Sequence, residues 1–314
     1  MKVVCITGCL GFMGSHFTRA CLKKGWMVWG VDKKTYAAHL DLLPEFGNYK
    51  NFRFLEVDIV ELNHIYDVDF VFNFAAETHV DNSIMDSGRF TRTNIVGVEN
   101  LLELIRGKRN YEMPTLFQIS TDEVYGDIIN GRHKETDPLK PSNPYSASKA
   151  AADMLILGWH RTHNIPFNII RPTNNYGVCQ YPEKLIPKAI KYLTLGKKIP
   201  LHGDGSYVRN WLHAEDTASA ILQIVETGEK NKIYNVSGNY EDSNIKVISK
   251  VLNNYFGKNV SPEQYIQFNY VRMGEDIRYS LDDSAVRSLG WTNSKIFDDE
   301  LLKIVEYYKN KFLW

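Results

Sequence analysis

The chain has 314 residues, enough for one large α/β domain or for a nucleotide-binding domain with a smaller companion. Lysine plus arginine and aspartate plus glutamate each number 37, so the formal net charge is zero and no overall field draws in nucleic acid. No stretch approaches a membrane span, and the apolar run at the N-terminus is too short for a secretory signal, so a soluble cytoplasmic protein is expected.

In chain order, Lys2–Thr7 is a short apolar run that ends at Gly8, and Phe12–Lys24 has helical spacing of apolar residues. Trp26–Val31 is a second strand ending at Asp32, Phe52–Val57 a third and Phe70–Phe74 a fourth. Ile84–Arg106 contains a long helical stretch. Leu116–Ile119 is the fifth strand, Tyr145–His160 the next helix and Phe167–Ile170 the sixth strand. Strands alternating with helical runs imply right-handed βαβ units and a parallel sheet covered on both faces. After Arg171-Pro172, segments containing Gly and Pro interrupt shorter elements. Ala214–Glu226 reads as a helix and Ile233–Val236 as a strand returning to the sheet. The expected fold is a Rossmann doubly wound parallel sheet over residues 1–172, with 207–237 returning to it. Residues 173–206 and 238–314 would form a smaller mixed α/β lobe. Cys5, Cys9, Cys21 and Cys179 show no metal-ligand spacing, and His160 and His163 read as a surface pair, so no metal site is expected.

Between the first strand and first helix stands Gly8-x-x-Gly11-Phe12-Met13-Gly14. Glycines there permit a tight turn and a close approach of backbone to a pyrophosphate, which the N–H groups of the helix start can bind. Asp32, 18 residues after Gly14, is placed to accept hydrogen bonds from an adenosine ribose and to repel a 2′-phosphate, which favours NAD over NADP. The adjacent Lys33 and Lys34 give a weaker signal in the other direction. Asp58-Ile59, just past the third strand, could meet the adenine edge, or Asp58 could cap a helix.

Two further motifs carry chemistry. Ser120-Thr121-Asp122-Glu123-Val124-Tyr125-Gly126 places adjacent carboxylic residues at the end of the fifth strand. Tyr145-x-x-x-Lys149 puts a phenol and an amine on one helix face. The Tyr/Lys pair can remove a proton from an alcohol. The paired acids supply a separate acid and base, which alcohol oxidation alone does not need but elimination of water does.

With these motifs the chain resembles the extended short-chain dehydrogenase/reductases, and among them the nucleotide-sugar 4,6-dehydratases. The resemblance is carried by the glycine loop, Val31–Ala37, Phe74–Ile84, Thr121-Asp122-Glu123, Tyr145-x-x-x-Lys149, Asn174–Gly177, Pro182–Pro187, Gly203–Gly205 with Arg209–Trp211, and Asp276-x-Arg278-Tyr279. It implies cofactor contacts from Gly8, Gly11, Phe12, Met13, Gly14, Asp32, Lys33, Asp58, Ile59, Phe74, Ala75, Ala76, Thr78, Tyr145 and Lys149. The catalytic set it implies is Thr121, Asp122, Glu123, Tyr145 and Lys149. In that reading Tyr145 deprotonates the glucose 4-hydroxyl, Glu123 takes the C5 proton, Asp122 protonates the departing 6-hydroxyl, and Lys149 with the nicotinamide charge favours tyrosinate.

Substrate contacts are implied for Thr78, Asn174, Lys184, Leu185, His202, Arg209, Arg272 and Tyr279, the two arginines meeting the diphosphate of dTDP-glucose or UDP-glucose. A homodimer through a four-helix bundle of the helices around Asn94–Arg106 and Tyr145–His160 is also implied. The chain departs from the pattern at Val178-Cys179, Asn82, Glu275 and Cys9-Leu10. The rival readings are a nucleotide-sugar 4-epimerase and a non-catalytic NAD-binding scaffold.

Overall fold

The computed structural model describes residues 1–108, 112–269 and 271–311; the last three residues of the expected C-terminal lobe lie outside these. The first half runs β1 (Val3–Thr7), α1 (Phe12–Lys23), β2 (Met27–Asp32), α2 (Leu42–Gly47), β3 (Phe52–Glu56) and β4 (Phe70–Asn73), then α3 (Val80–Met85), α4 (Ser87–Phe90), α5 (Gly97–Arg106), β5 (Thr115–Ile119), α6 (Pro144–His163) and β6 (Phe167–Pro172). There follow β7 (Asn174–Tyr176), α7 (Leu185–Thr194), β8 (Ile199–His202), β9 (Val208–His213), α8 (Ala214–Thr227) and β10 (Lys232–Val236). The chain ends with β11 (Tyr240–Ser243), α9 (Asn244–Phe256), β12 (Ile266–Asn269), α10 (Ser284–Ser288) and α11 (Phe297–Asn310).

Seven strands form one parallel sheet in the order β10-β6-β5-β4-β1-β2-β3. The order reverses beside β1, the place where open α/β sheets bind ligands beyond their carboxyl ends. All residues of β5 and β6 are buried, as expected of central strands covered on both faces. The returning strand is present: β10 pairs in parallel with β6, Ile233 opposite Ile169. At the carboxyl ends a polar ladder crosses three strands, Thr7 Oγ1 donating to Asn73 Oδ1 (2.6 Å) and Asn73 Nδ2 to Gln118 Oε1 (2.8 Å). Thr7 Oγ1 also accepts from the Ala75 N–H (3.3 Å), fixing the chain as it leaves β4.

One apolar layer joins α1, α8 and one sheet face through Phe17, Phe72, Phe117 and Ile221. The other packs α5 and α6 on the opposite face through Leu101, Leu102, Ile105 and Ile156. A separate core of Tyr176, Ile190, Leu201, Trp211, Val251 and Leu301 unites α7, α9 and α11 with the small sheets β11-β9-β7 and β12-β8.

The long helix expected over Ile84–Arg106 is four segments. Asp86, with φ −147°, leaves helical geometry and accepts from the Gly88 N–H to start α4. A π-helical stretch, Thr91–Val96, then precedes α5. Its wider turn directs Asn94 inward, where Asn94 Nδ2 donates to the Glu77 carbonyl (3.0 Å) and Ser148 Oγ (2.9 Å).

Candidate active site

The cleft opens at the carboxyl ends of β1, β2, β4 and β5 and measures about 270 Å³. Its floor is backbone. A Cβ on Gly8 would stand 2.7 Å from the Ala75 nitrogen, and one on Gly14 would stand 2.0 Å from the Gly8 carbonyl oxygen. Gly8 also has φ +66°, so the turn into α1 accepts no larger residue at either position.

Gly8, Gly11, Phe12, Met13, Gly14, Asp32, Lys33, Asp58, Ile59, Phe74, Ala75, Ala76, Thr78, Tyr145 and Lys149 all line this cleft. Asp32 is fixed at the tip of β2: Oδ2 accepts from the Leu10 N–H (3.0 Å) and Oδ1 from the Lys34 N–H (2.8 Å). Each oxygen retains a lone pair for a hydroxyl. Lys33 Nζ lies 3.3 Å from Asp58 and 3.6 Å from Glu77, and Lys34 pairs with Glu56, so both cations are already matched by acids. Asp58 accepts from the Val60 N–H (3.1 Å); it caps a turn, since no helix follows.

Thr121, Asp122 and Glu123 leave β5 into a 3₁₀ turn, Asp122–Tyr125. The cap of that turn is Thr121, whose Oγ1 accepts from the Glu123 N–H (3.3 Å) and donates to Asp122 Oδ1 (3.1 Å). The acids are therefore not spent on capping. Asp122 Oδ2 is buried without a hydrogen-bond partner. Burial and the neighbouring Glu123 push the Asp122 carboxyl up to about 8. Burial also raises Glu123, but Arg209, Lys184 and Arg272 pull it back. Both adjacent acids are thus raised by burial, Asp122 enough to hold its proton near neutrality, while the rise of Glu123 is opposed by three cations.

Tyr145 sits in the first turn of α6, which is opened by Pro144 and a capping box between Asn143 and Ser146. The expected lowering of its phenol is absent from the protein alone. Burial and the charges of Glu123 and Asp122 raise it, with only a hydrogen bond to Thr121 opposing. Lys149 Nζ donates to the Ile119 carbonyl (2.6 Å), and burial brings its pKa down to about 8.

The substrate residues divide. Thr78, Asn174 and Lys184 line the cleft. Asn174 Oδ1 is buried without a partner, and Lys184 Nζ donates to the Thr78 carbonyl (2.8 Å). Leu185, His202, Arg209, Arg272 and Tyr279 stand outside the cleft lining. Leu185 starts α7 and packs on the C-terminal core, and His202 lies 3.8 Å from Asp81. The Arg209 guanidinium lies 4.6 Å from the Tyr279 ring centre and donates to Glu275 (2.8 Å) and to the carbonyls of Val208, Asp276 and Ile277. Arg272 grips the other Glu275 oxygen (2.6 Å) and reaches Asp81 (3.2 Å).

Sequence reasoning assigned no role to Tyr36, Tyr181, Asn94, Asp81 or Glu275. Tyr36 donates to Glu183 (2.9 Å) and meets Tyr181 edge-on, both of them residues of the cleft lining. A polar residue inside an apolar helical run was the available signal for Asn94; the others pair across sequence distances that no local pattern records.

The family model for GDP-mannose 4,6 dehydratase matches residues 5–304. The chain is 40% identical to the low-salt glycan biosynthesis protein Agl12 of Haloferax volcanii, over 97% of this chain and 98% of that one. It is 38% identical to the dTDP-glucose 4,6-dehydratase of Neisseria meningitidis serogroup B, over 100% of this chain and 95% of that one. The crystal structure of DesIV, a dTDP-glucose 4,6-dehydratase from Streptomyces venezuelae with NAD and TYD bound, superposes with a TM-score of 0.91 at 35% identity, covering 99% of this chain and 97% of that one. A glycine-floored cleft, a Tyr/Lys helix and a buried acid pair at the end of β5 agree with these likenesses, and the chain belongs to the nucleotide-sugar 4,6-dehydratase family of the extended short-chain dehydrogenase/reductases.

Proposed function

We propose that the protein converts dTDP-glucose or UDP-glucose to the nucleotide-linked 4-keto-6-deoxyglucose. The observation that carries this reading is the Asp122–Glu123 pair in the turn after β5: Asp122 Oδ2 is buried without a hydrogen-bond partner, its carboxyl is pushed up to about 8, and the rise of Glu123 beside it is opposed by Arg209, Lys184 and Arg272. NAD fits the cleft. Gly8 and Gly14 leave room where any Cβ would collide, Asp32 offers acceptors to a ribose, and Lys33 and Lys34, the cations beside it in sequence, are already paired with acids.

NAD, which the glycine turn and Asp32 would hold, would supply a hydride acceptor for C4 and a hydride donor for C6 and so would be regenerated in each cycle. Tyr145 takes the 4-hydroxyl proton; its phenol, raised in the protein alone, needs the nearby positive charge of the cofactor and Lys149 to become a base. Thr121 steadies the 4-oxygen. The ketone acidifies the C5 proton, which Glu123 removes, and C5 is reprotonated once hydride has reached C6. Asp122 gives its proton from the unpartnered oxygen to the leaving 6-hydroxyl, releasing water. Lys184 and Asn174 hold the sugar and phosphate end, and Arg272 contributes its charge at the diphosphate, assisted by Leu185, His202, Arg209 and Tyr279 around the nucleotide.

Incubation of the purified protein with dTDP-glucose and UDP-glucose, read by mass spectrometry, should show loss of water. An epimer or unchanged substrate would refute dehydration. Thymine and uracil differ by one methyl group, about 1–3 kcal/mol in a pocket, so kcat/KM for the two substrates should differ by less than about 200-fold. Asp122→Asn should still form NADH on mixing with substrate yet lower kcat by about 10²-fold or more. A cytoplasmic homodimer completes the reading. Among the described residues no helix is long and apolar enough to cross a membrane, and Met154 on α6 (49% exposed) with Val96 before α5 (40%) leaves apolar surface for a helix-to-helix partner. Light scattering at the mass of one chain would overturn the dimer.

A further inference from the structure

A buried charge pair lies behind the Tyr/Lys helix. Asp153 follows Lys149 by four positions on α6, so the two share a helix face. Its side chain and that of Arg171 on β6 are 0% and 1% exposed. Asp153 Oδ2 accepts from Ser120 Oγ (3.0 Å) and from Arg171 Nε and Nη2 (3.0 Å each). Asp153 Oδ1 is buried with no hydrogen-bond partner. Arg171 Nη1 continues to the Tyr125 hydroxyl (2.6 Å), and the guanidinium lies 4.8 Å from the centre of that ring. Tyr125 in turn donates to Asn235 Oδ1 on β10 (2.9 Å), whose Nδ2 is held by the carbonyls of His133 and Asp282. Tyr125 is the last residue of the turn that carries Asp122 and Glu123.

We propose that Asp153, fixed by Arg171, is a positioning residue that keeps Lys149 charged, and that Arg171 extends the same restraint through Tyr125 to the turn bearing Asp122 and Glu123. Stability gives little reason to keep such a pair, since apolar replacements of a buried ion pair are often as stable. An unmet carboxylate oxygen in the interior adds a further cost. What the arrangement does provide is a carboxyl one helical turn from a lysine whose pKa burial lowers; burial raises that carboxyl too, against the opposing charges of Arg171 and Lys149. The titratable and charged groups around Lys149 are Asp153 and Tyr145 on its own helix, Asp122 and Glu123 on the turn after β5, and Arg171 on β6. Asp153 is the one that pulls on the Lys149 proton. Two halves of the chemistry, proton removal at the 4-hydroxyl and elimination across C5 and C6, are thereby mounted on one polar chain.

The inference rests on the dehydratase reading, so wild-type loss of water from dTDP-glucose or UDP-glucose is measured first. A wild type without product would sink that reading and leave the ion pair's action to be read from NADH formation alone. In Asp153→Asn, the alkaline limb of NADH formation with substrate should move to lower pH by about one unit, because a lysine without its counter-charge loses its proton earlier. Should that variant not fold, Asp153→Asn with Arg171→Met removes both charges at once, and the same shift is expected. Tyr125→Phe should form NADH with the wild-type pH profile but release product about tenfold more slowly, the cost of one hydrogen bond to a charged group. A folded Asp153 variant with an unmoved alkaline limb overturns the control of Lys149. A Tyr125→Phe enzyme that eliminates water at the wild-type rate overturns the link to the acid pair.

Discussion

The two walls of the cleft are built by different means. On the sheet side, contact is made by backbone: a glycine turn, strand ends and the N-terminus of α1, all fixed by the parallel ladder beneath them. On the lobe side Lys184 lines the cleft and reaches the Thr78 carbonyl, and behind that lining charges are matched to one another, Arg209 and Arg272 to Glu275 and Arg272 to Asp81. A wall made of backbone cannot change residue without collision, whereas a wall made of ion pairs can exchange partners. The first suits a cofactor regenerated in every turnover, the second a substrate that must enter and leave.

The largest test of this contrast is Gly14→Val, which drives a side chain into the Gly8 carbonyl; NAD retention through gel filtration should be lost, and circular dichroism should report a destabilised fold. Next is Tyr145→Phe, expected to cut NADH formation by about 10³-fold with the cofactor still bound, since only the proton acceptor is removed. On the lobe wall, Arg272→Met should raise KM for the nucleotide sugar by about 10- to 100-fold and leave kcat nearly unchanged, the signature of binding felt equally by ground and transition states. A fall in kcat instead would mean the lobe wall shapes the chemistry as well.

The smallest effect concerns stability. The Asp122 carboxyl rises from 3.8 to about 8 on folding, so the folded state binds its proton more tightly. The stability this acid contributes is complete below about pH 4 and is lost as pH climbs through about 8. Asp122→Asn should therefore match the wild-type Tm in acid and exceed it by a few degrees above pH 8, with the gap growing between those limits.

The same division governs what could be read from the sequence. The sheet-side wall was legible because backbone geometry restricts residue type: Gly8, Gly11, Gly14 and Asp32 lie where a strand–turn–helix pattern put them, and they line one cleft. The returning strand β10 was legible from its apolar run. Helix α6 extends to His163, beyond the expected end, because Asn164 adopts a left-handed cap that periodicity does not reveal. The break at Asp86 and the π-helical turn were illegible since apolar spacing persists through both. The lobe wall was least legible. Arg209 and Arg272 were expected to wait for a diphosphate, but Glu275, near in sequence to one and remote from the other, holds both. Such pairing depends on how distant segments meet, and single-residue chemistry does not specify it.

The four cysteines have a practical consequence. All are buried, and burial raises each thiol, Cys5 to about 12, so none is a ready thiolate for alkylation or oxidation. The native chain is thus a silent background for site-specific labelling. A cysteine introduced at Met85 (86% exposed) and another at Met273 (82% exposed) would flank the Asp81–Arg272 contact and carry a fluorophore pair. The distance between them would report in real time whether the lobe moves toward the sheet when a nucleotide sugar binds.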